Sequence, residues 1–184
     1  MPVAVCGWIA CMCAEPARIH GFAPVARPDA RILILGTMPG MISLQRNQYY
    51  ANARNAFWPI AQALFKVDLH AGYDDRLTAL QDAGVALWDV LSQCVRPGSL
   101  DAAIVAESAA PNDFVGFLAR HPCIEVIGLN GAKAAQLFRR HVVPTLAGGA
   151  RQPRLVTLPS TSPAHAAQRF DSKLLAWRGL LEQV

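Results

Sequence analysis

Apolar residues in this chain fall into short unbroken blocks, and between the blocks they return every third or fourth position. The first block, RILILG at 31–36, ends in glycine and reads as a strand buried on both faces. Residues 56–65 follow as a helix, with Phe57, Ile60, Ala61, Leu64 and Phe65 on one side. Pro59 falls in its first turn, where proline is tolerated. A second helix covers 75–83 and closes at Gly84, and 85–90 is the second strand. Pro111, Asn112 and Asp113 start a helix that runs to about 121, just ahead of Pro122. Residues 124–129 form the third strand, Asn130 and Gly131 turn the chain, and 132–141 is helical. A loop rich in Gly and Pro spans 144–153, the fourth strand 154–158, and a closing helix 166–181. Alternation of this kind implies right-handed crossovers and a parallel sheet covered on both sides. The expected fold is a single α/β domain, a three-layer α/β/α sandwich with a four-stranded parallel sheet. Its site belongs outside the carboxyl ends of the strands, on the loops after Leu35, Val90, Leu129 and Leu158.

Composition narrows the class without changing the fold. A chain of 184 residues, 53% hydrophobic and only 16% charged, is neither disordered nor a coiled coil. No apolar run reaches the ~18 residues that a membrane span needs. The first 14 residues are apolar but lack the basic start of a secretory signal. Residues 1–20 therefore read as an N-terminal extension outside the fold, and 21–184 as the domain. The five cysteines (Cys6, Cys11, Cys13, Cys94 and Cys123) are odd in number and irregularly spaced. They make a poor disulfide framework and fit a reduced cytoplasm. Cys6, Cys11 and Cys13 match no common zinc or iron–sulfur spacing. A cluster using them with Cys94 or Cys123 is the weaker of the two readings, and no metal is expected.

Net charge is +4, and its layout says more than its size. Residues 30–67 hold Arg31, Arg46, Arg54 and Lys66 and no acid. Residues 126–170 hold Lys133, Arg139, Arg140, Arg151, Arg154 and Arg169, again with no acid. The intervening 68–125 carry nine acids against three arginines. Two acid-free basic windows suit a surface that meets phosphate; scattered solubilising arginine is the plainer account.

Three stretches near strand ends carry candidate chemistry. Residues 36–40, GTMPG, let backbone amides approach a ligand, yet they form neither a Walker loop nor a dinucleotide fingerprint. Residues 48–58, QYYANARNAFW, crowd amides, aromatics and an arginine before a helix. There Asn55 also reads as an ordinary N-cap, and Phe57 and Trp58 as core. Residues 158–165, LPSTSPAH, hold three hydroxyls between two prolines, as a phosphate clamp requires or as a cap for the last helix.

Taken in order and at their spacing, RILILGTMPG, QYYANARNAFW, GVALWDVL, VIGLNGAKAAQLF and LPSTSPAHA resemble the uracil-DNA glycosylase superfamily. The resemblance is to its hypoxanthine-DNA (deoxyinosine) glycosylase branch and covers roughly residues 20–182. It implies a base pocket flanked by the first and last motifs. Gly36, Thr37, Met38, Pro39, Gly40, Tyr49, Tyr50 and Phe57 would form that pocket; Tyr49, Tyr50 or Phe57 would stack on the base, and the family's stacking phenylalanine suggests Phe57. Mismatch-specific uracil glycosylases of the superfamily carry Asn where Met38 stands, and a thioether orients no water. The hypoxanthine branch places its catalytic asparagine in the segment that maps onto Asn55.

The resemblance implies DNA containing deaminated bases as the partner, and a base flipped out of the stack. Cleavage passes through an oxocarbenium-like sugar, with Asn55 placing water and the 36–40 amides or His165 stabilising the departing base. Arg54, Ser160, Thr161 and Ser162 would hold phosphates. No lysine in the motif segments is read as a Schiff-base nucleophile, so a monofunctional glycosylase is expected. No cofactor is expected, and the molecule is expected to be a monomer. A uracil-preferring or broad deaminated-base glycosylase, a non-catalytic nucleic-acid-binding module and a nucleoside enzyme are the alternatives.

Overall fold

The computed structural model describes residues 18–148 and 152–183. The chain enters through β1 (Arg18–His20) and continues as β2 (Ile32–Gly36), α1 (Met41–Arg46), α2 (Phe57–Phe65) and α3 (Tyr73–Asp82). There follow β3 (Val85–Asp89), β4 (Leu91–Val95), β5 (Ala110–Pro111), α4 (Phe114–Arg120), β6 (Val126–Asn130) and α5 (Ala132–His141). The last elements are α6 (Val143–Leu146), β7 (Arg154–Leu158) and α7 (Phe170–Arg178).

The apolar blocks form one sheet, parallel throughout, in the order β3-β2-β6-β7. Side chains alternate across it, so β2 sends Ile32 and Ile34 to one face and Leu33 and Leu35 to the other. The first face packs on Phe57, Trp58 and Ile60 of α2, Leu80 of α3 and Trp177 of α7. The second packs on Phe114 and Phe117 of α4 and Ala134 and Phe138 of α5. This is the expected three-layer α/β/α sandwich. The path from β2 to β3 runs one way along the sheet, and that from β3 to β6 runs back across β2. Right-handed crossovers therefore lay α2 and α3 on one face and α4 on the other. The reversal opens a crevice at the carboxyl ends of β2 and β6.

Several elements lay outside the sequence reading. A three-stranded antiparallel sheet, β1-β4-β5, grows from the end of β3. Its strands are only two to five residues long and mostly half-exposed, so they carry no alternating apolar signature. Helix α1 is six residues long and ends at Asn47 in the left-handed region. Helix α6 occupies the start of the expected Gly/Pro-rich loop. The closing helix begins at Phe170, four residues later than expected, because Ser162 holds the preceding amides in a turn. Its Oγ accepts from Ala164 N at 3.2 Å and its carbonyl from His165 N at 3.0 Å. Arg18–His20, expected outside the fold, pairs with Gln93–Val95. Residues 1–17, with Cys6, Cys11 and Cys13, lie outside the described residues. Cys94 is buried and Cys123 exposed, both free thiols.

Close packing in the middle layer gives one test. A Cβ on Gly128 of β6 would stand 3.0 Å from Leu158 Cδ1 and 3.2 Å from Leu180 Cδ1. Gly128→Val should lower stability by about 1–3 kcal/mol through overpacking. Urea denaturation would show a lower midpoint at unchanged slope; an unmoved midpoint would refute this packing.

Candidate active site

A cavity of about 670 Å³ opens at the carboxyl edge of the parallel sheet. The loops leaving β2, β6 and β7, the end of β3 and the segment after β4 all reach it. It gathers Gly36, Thr37, Met38, Pro39 and Gly40 from the first loop, and Tyr49, Tyr50, Arg54 and Asn55 from the second. Ser160, Thr161, Ser162 and His165 come from the last. Two neighbouring stretches and a third from the far end of the chain thus share one wall.

Phe57 is the exception. It is 1% exposed and lies in the core behind Tyr50, whose ring stacks on it at 3.9 Å and 16°. Its position at the start of α2 turns it toward the sheet, where Trp177 also meets its edge. Tyr49 is nearly as buried, and its hydroxyl donates to Ala23 O at 3.2 Å. Tyr50 is the half-buried ring on the cavity wall, held at φ 54° in the left-handed region. Burial, and the charge of Asp89 after it, push both tyrosine hydroxyls well above their ordinary value.

Asn55 stands one residue before the N-cap of α2, which is Ala56 and not Asn55 as expected: its Oδ1 accepts from Phe57 N at 2.9 Å in a local turn. That bond fixes the side chain and leaves the oxygen's second lone pair for another donor. The bond from Ala56 N to Thr161 O, 3.0 Å, ties this segment to the last loop. Asn130, at the end of β6, completes the link. Its Nδ2 donates to Thr161 Oγ1 at 2.9 Å and to Tyr50 Oη at 3.2 Å. Its Oδ1 accepts from Thr161 N at 2.9 Å. Gly131, at φ 105°, then lets the chain turn beneath Ser160.

The 36–40 loop is held from below. Val90 N donates to Gly36 O and Leu91 N to Thr37 O, so the start of β4 pins the loop's beginning. Arg96, with no side-chain exposure, takes its end. Its Nη2 donates to Pro39 O at 2.5 Å, Nη1 to Met38 O at 3.4 Å and Nε to Gly98 O at 3.1 Å. Asp101 stands 3.4 Å from the same guanidinium. Burial raises the Asp101 carboxyl, while a hydrogen bond from Thr37 and the Arg96 charge oppose the rise. Asp89 ends β3 beside this loop, 3% exposed. Burial first, and the Asp101 charge next, push its carboxyl up to about 8 against the pull of Arg96. A Cβ on Gly36 would overlap Asp89 Oδ1, so any larger residue there would displace that carboxyl.

Asp89, Asp101, Asn130 and Lys133 line the cavity beyond the residues read as candidates. Asp89, Asn130 and Lys133 sit inside the motif strings GVALWDVL and VIGLNGAKAAQLF, and the strand-end places of Asp89 and Asn130 were the available signal. Lys133 also removes one support for a monofunctional enzyme, since a lysine does stand on the wall. The basic windows divide by topology. Arg31 precedes β2 and pairs with Glu125 at 3.0 Å, and Arg154 starts β7, both at the amino edge. Arg139 and Arg140 end α5, which runs back toward that edge. Arg54 and Lys133 stand at the cavity. His165 is exposed on the rim, and its carbonyl accepts from the Lys173 ammonium at 2.9 Å. Among the described residues, no group of three or more His, Cys, Asp or Glu is placed to hold a metal. No helix among them is long and apolar enough to cross a membrane.

Comparison with known proteins agrees with this architecture. A hypoxanthine DNA glycosylase of Methanosarcina acetivorans is 34% identical over 153 residues, which are 83% of this chain and 90% of the relative. A hypoxanthine DNA glycosylase of Methanosarcina barkeri is 34% identical over 118 residues, 64% of this chain and 73% of the relative. A solution NMR structure described as a candidate uracil DNA glycosylase from Methanosarcina acetivorans superposes with a TM-score of 0.72 at 31% identity. That match covers 90% of this chain and 99% of the other. The family model for the uracil DNA glycosylase superfamily matches residues 23–181, and the chain belongs to that superfamily.

Proposed function

We propose that this protein is a DNA glycosylase that excises a deaminated base, hypoxanthine from deoxyinosine above all, and leaves an abasic site. The observation that carries the reading is the convergence of the 36–40, 48–58 and 158–165 stretches on one cavity, with Asn55 on its wall. The two hypoxanthine DNA glycosylase relatives support the choice of base.

A cavity of about 670 Å³ is of the size that takes one nucleoside. The target base leaves the duplex stack at a cost of a few kcal/mol. Of Tyr49, Tyr50 and Phe57, Tyr50 is the stacking ring, because it is the half-buried aromatic on the wall. Asn55 holds a water under the sugar through the free lone pair of Oδ1. As the glycosidic bond lengthens, the sugar gains positive charge and the base negative charge. The amides of the 36–40 loop, with His165 at the rim, stabilise the departing base. Ser160 and Ser162 with Arg54 and Lys133 hold the flanking phosphates. Thr161 differs from its neighbours in being 1% exposed, so its part is to position the loop.

A duplex carrying one deoxyinosine tests the activity: strand breakage should appear only after alkali opens the abasic product. Asn55→Ala should reduce excision by about 100-fold or more while DNA binding persists, since one positioned catalytic group contributes on that order. Excision at the parental rate would remove Asn55 from the mechanism. Parallel duplexes with uracil and xanthine rank the bases.

Salt dependence tests the placement of cations. Arg54→Ala should flatten the slope of log K against log salt by about one. Arg140→Ala, at the opposite edge, should leave it unchanged. Equal effects from both would mean that phosphates contact the amino edge as well.

A further inference from the structure

Among the described residues, two buried side-chain polar atoms lack a hydrogen-bond partner: Arg76 Nε and Asp89 Oδ2. The Arg76 guanidinium lies over the Trp58 ring at 4.5 Å, away from the cavity. Asp89 is on the cavity wall. Around it the polar groups are matched: Asn130 bonds Thr161 and Tyr50, and Arg96 bonds three carbonyls. Even the Asp89 carbonyl accepts from Asn112 Nδ2 at 2.8 Å. An unmatched carboxyl oxygen in such a setting awaits a ligand.

Resting on the glycosylase reading, we propose that Asp89 meets the Watson–Crick edge of the extruded base as a neutral carboxylic acid. The chemistry follows from what deamination does. It turns an amino group beside a ring-nitrogen acceptor into a carbonyl beside a ring N–H. Hypoxanthine, uracil and xanthine all present this lactam pair. A neutral carboxyl offers an O–H donor next to a C=O acceptor, so it makes two bonds to a lactam. An ionised carboxylate has acceptors only and sets one of them against the lactam oxygen.

The surroundings keep the proton on. Burial is the main cause, and Asp101 across the cavity adds its negative charge. Arg96 opposes them from beyond β4. Tyr49 and Tyr50 face Asp89 from the second loop, both raised well above their usual range and so uncharged. Lys133 acts on Asp101 from α5. With its carboxyl at about 8, Asp89 holds its proton at neutral pH and loses it in mild alkali.

The test measures single-turnover kcat/KM on deoxyinosine duplex across pH 6–10 for the parent, Asp89→Asn and Asp89→Leu. The parent should fall about tenfold per pH unit above about 8, as one essential proton leaves the free enzyme. Asp89→Leu should lose about 100-fold at pH 7, since two hydrogen bonds are removed. Asp89→Asn keeps a donor beside an acceptor; it should recover most of that loss and show no fall near pH 8. The substrate's own N–H titrates identically in all three proteins, so the difference isolates Asp89. An Asn variant that copies the parental profile overturns the proposal. So does a parental rate that rises through pH 8 and disappears in the Asn variant, which would make Asp89 a general base.

Thermal melting separates this proposal from the activity it rests on. The native carboxyl sits above its unfolded value of 3.8, so the native state binds more protons between about 4 and 8. Parental stability therefore declines as pH rises through that window, and Asp89→Asn escapes the decline. The variant's gain in Tm over the parent should be larger at pH 8 than at pH 5. If no deaminated base is excised, the glycosylase reading fails, whereas an equal Tm difference at both pH values shows that Asp89 is not neutral.

Discussion

At the carboxyl edge of a parallel sheet the loops leave the ladder and need other ties, and here the Asn130 side-chain amide supplies them. One side chain accepts from Thr161 N and donates to Thr161 Oγ1 and Tyr50 Oη. Each bond reaches a different part of the site. Through Thr161 it fixes the last loop, whose carbonyl in turn accepts from Ala56 N and sets the start of α2. Through Tyr50 it holds a ring in a backbone conformation that non-glycine residues seldom adopt. Asn55 then follows from the helix start, because the bond its Oδ1 accepts from Phe57 N is local. The geometry of Tyr50 and Thr161, from opposite ends of the chain, thus rests on one buried amide at 8% exposure.

The first loop is held by different means. Arg96 grips it with a charged group, and a buried charge is costly unless it is matched. The match comes mostly from carbonyls, at Met38, Pro39 and Gly98, with Asp101 at the longer distance of 3.4 Å. Carbonyls drawn down toward the guanidinium leave the loop's amides as the groups available to the cavity. The small antiparallel sheet has a purpose in this light: β4 carries the chain from the end of β3 to Arg96, directly under the loop. Water exclusion at the same edge raises Tyr49, Tyr50, Asp89 and Asp101 together. Asp89 and the two tyrosines therefore add no charge to the wall at neutral pH. Such a wall favours a reaction in which charge separates within the substrate, because its dipoles are in place beforehand.

How much of this was legible in the residues depends on where each signal is stored. The four sheet strands and α2, α4 and α5 are written in local apolar patterns such as ILILG and the AKAAQLF stretch, and each formed near its expected bounds. The cavity-lining motifs were legible as strings, and all their candidates except Phe57 reached the wall. Phe57 was misplaced because its core position depends on the direction in which α2 leaves the loop, which no spacing encodes. Asp89 and Asn130 were passed over for a related reason. Each looks like an ordinary polar residue closing a strand, and its meaning comes from what burial does to it. The β1-β4-β5 sheet was invisible because its pairings join short polar segments far apart in sequence.

Topology also reorders the charge. Sequence windows group residues by proximity along the chain, but a parallel sheet sends successive strand starts to one edge and strand ends to the other. Arg31 and Arg154 start strands, and Arg139 and Arg140 finish a helix that returns to the same side. The cavity edge is left with Arg54, Lys133 and the hydroxyls of Ser160 and Ser162. Backbone and hydroxyl groups bind phosphate without long flexible side chains, so they fix position more tightly than they attract. A glycosylase must hold one nucleotide in register against a pocket while the rest of the duplex remains free to slide. Few cations and several rigid donors suit that division: attraction stays modest, and the stiff edge built on Asn130 determines where the extruded nucleotide comes to rest.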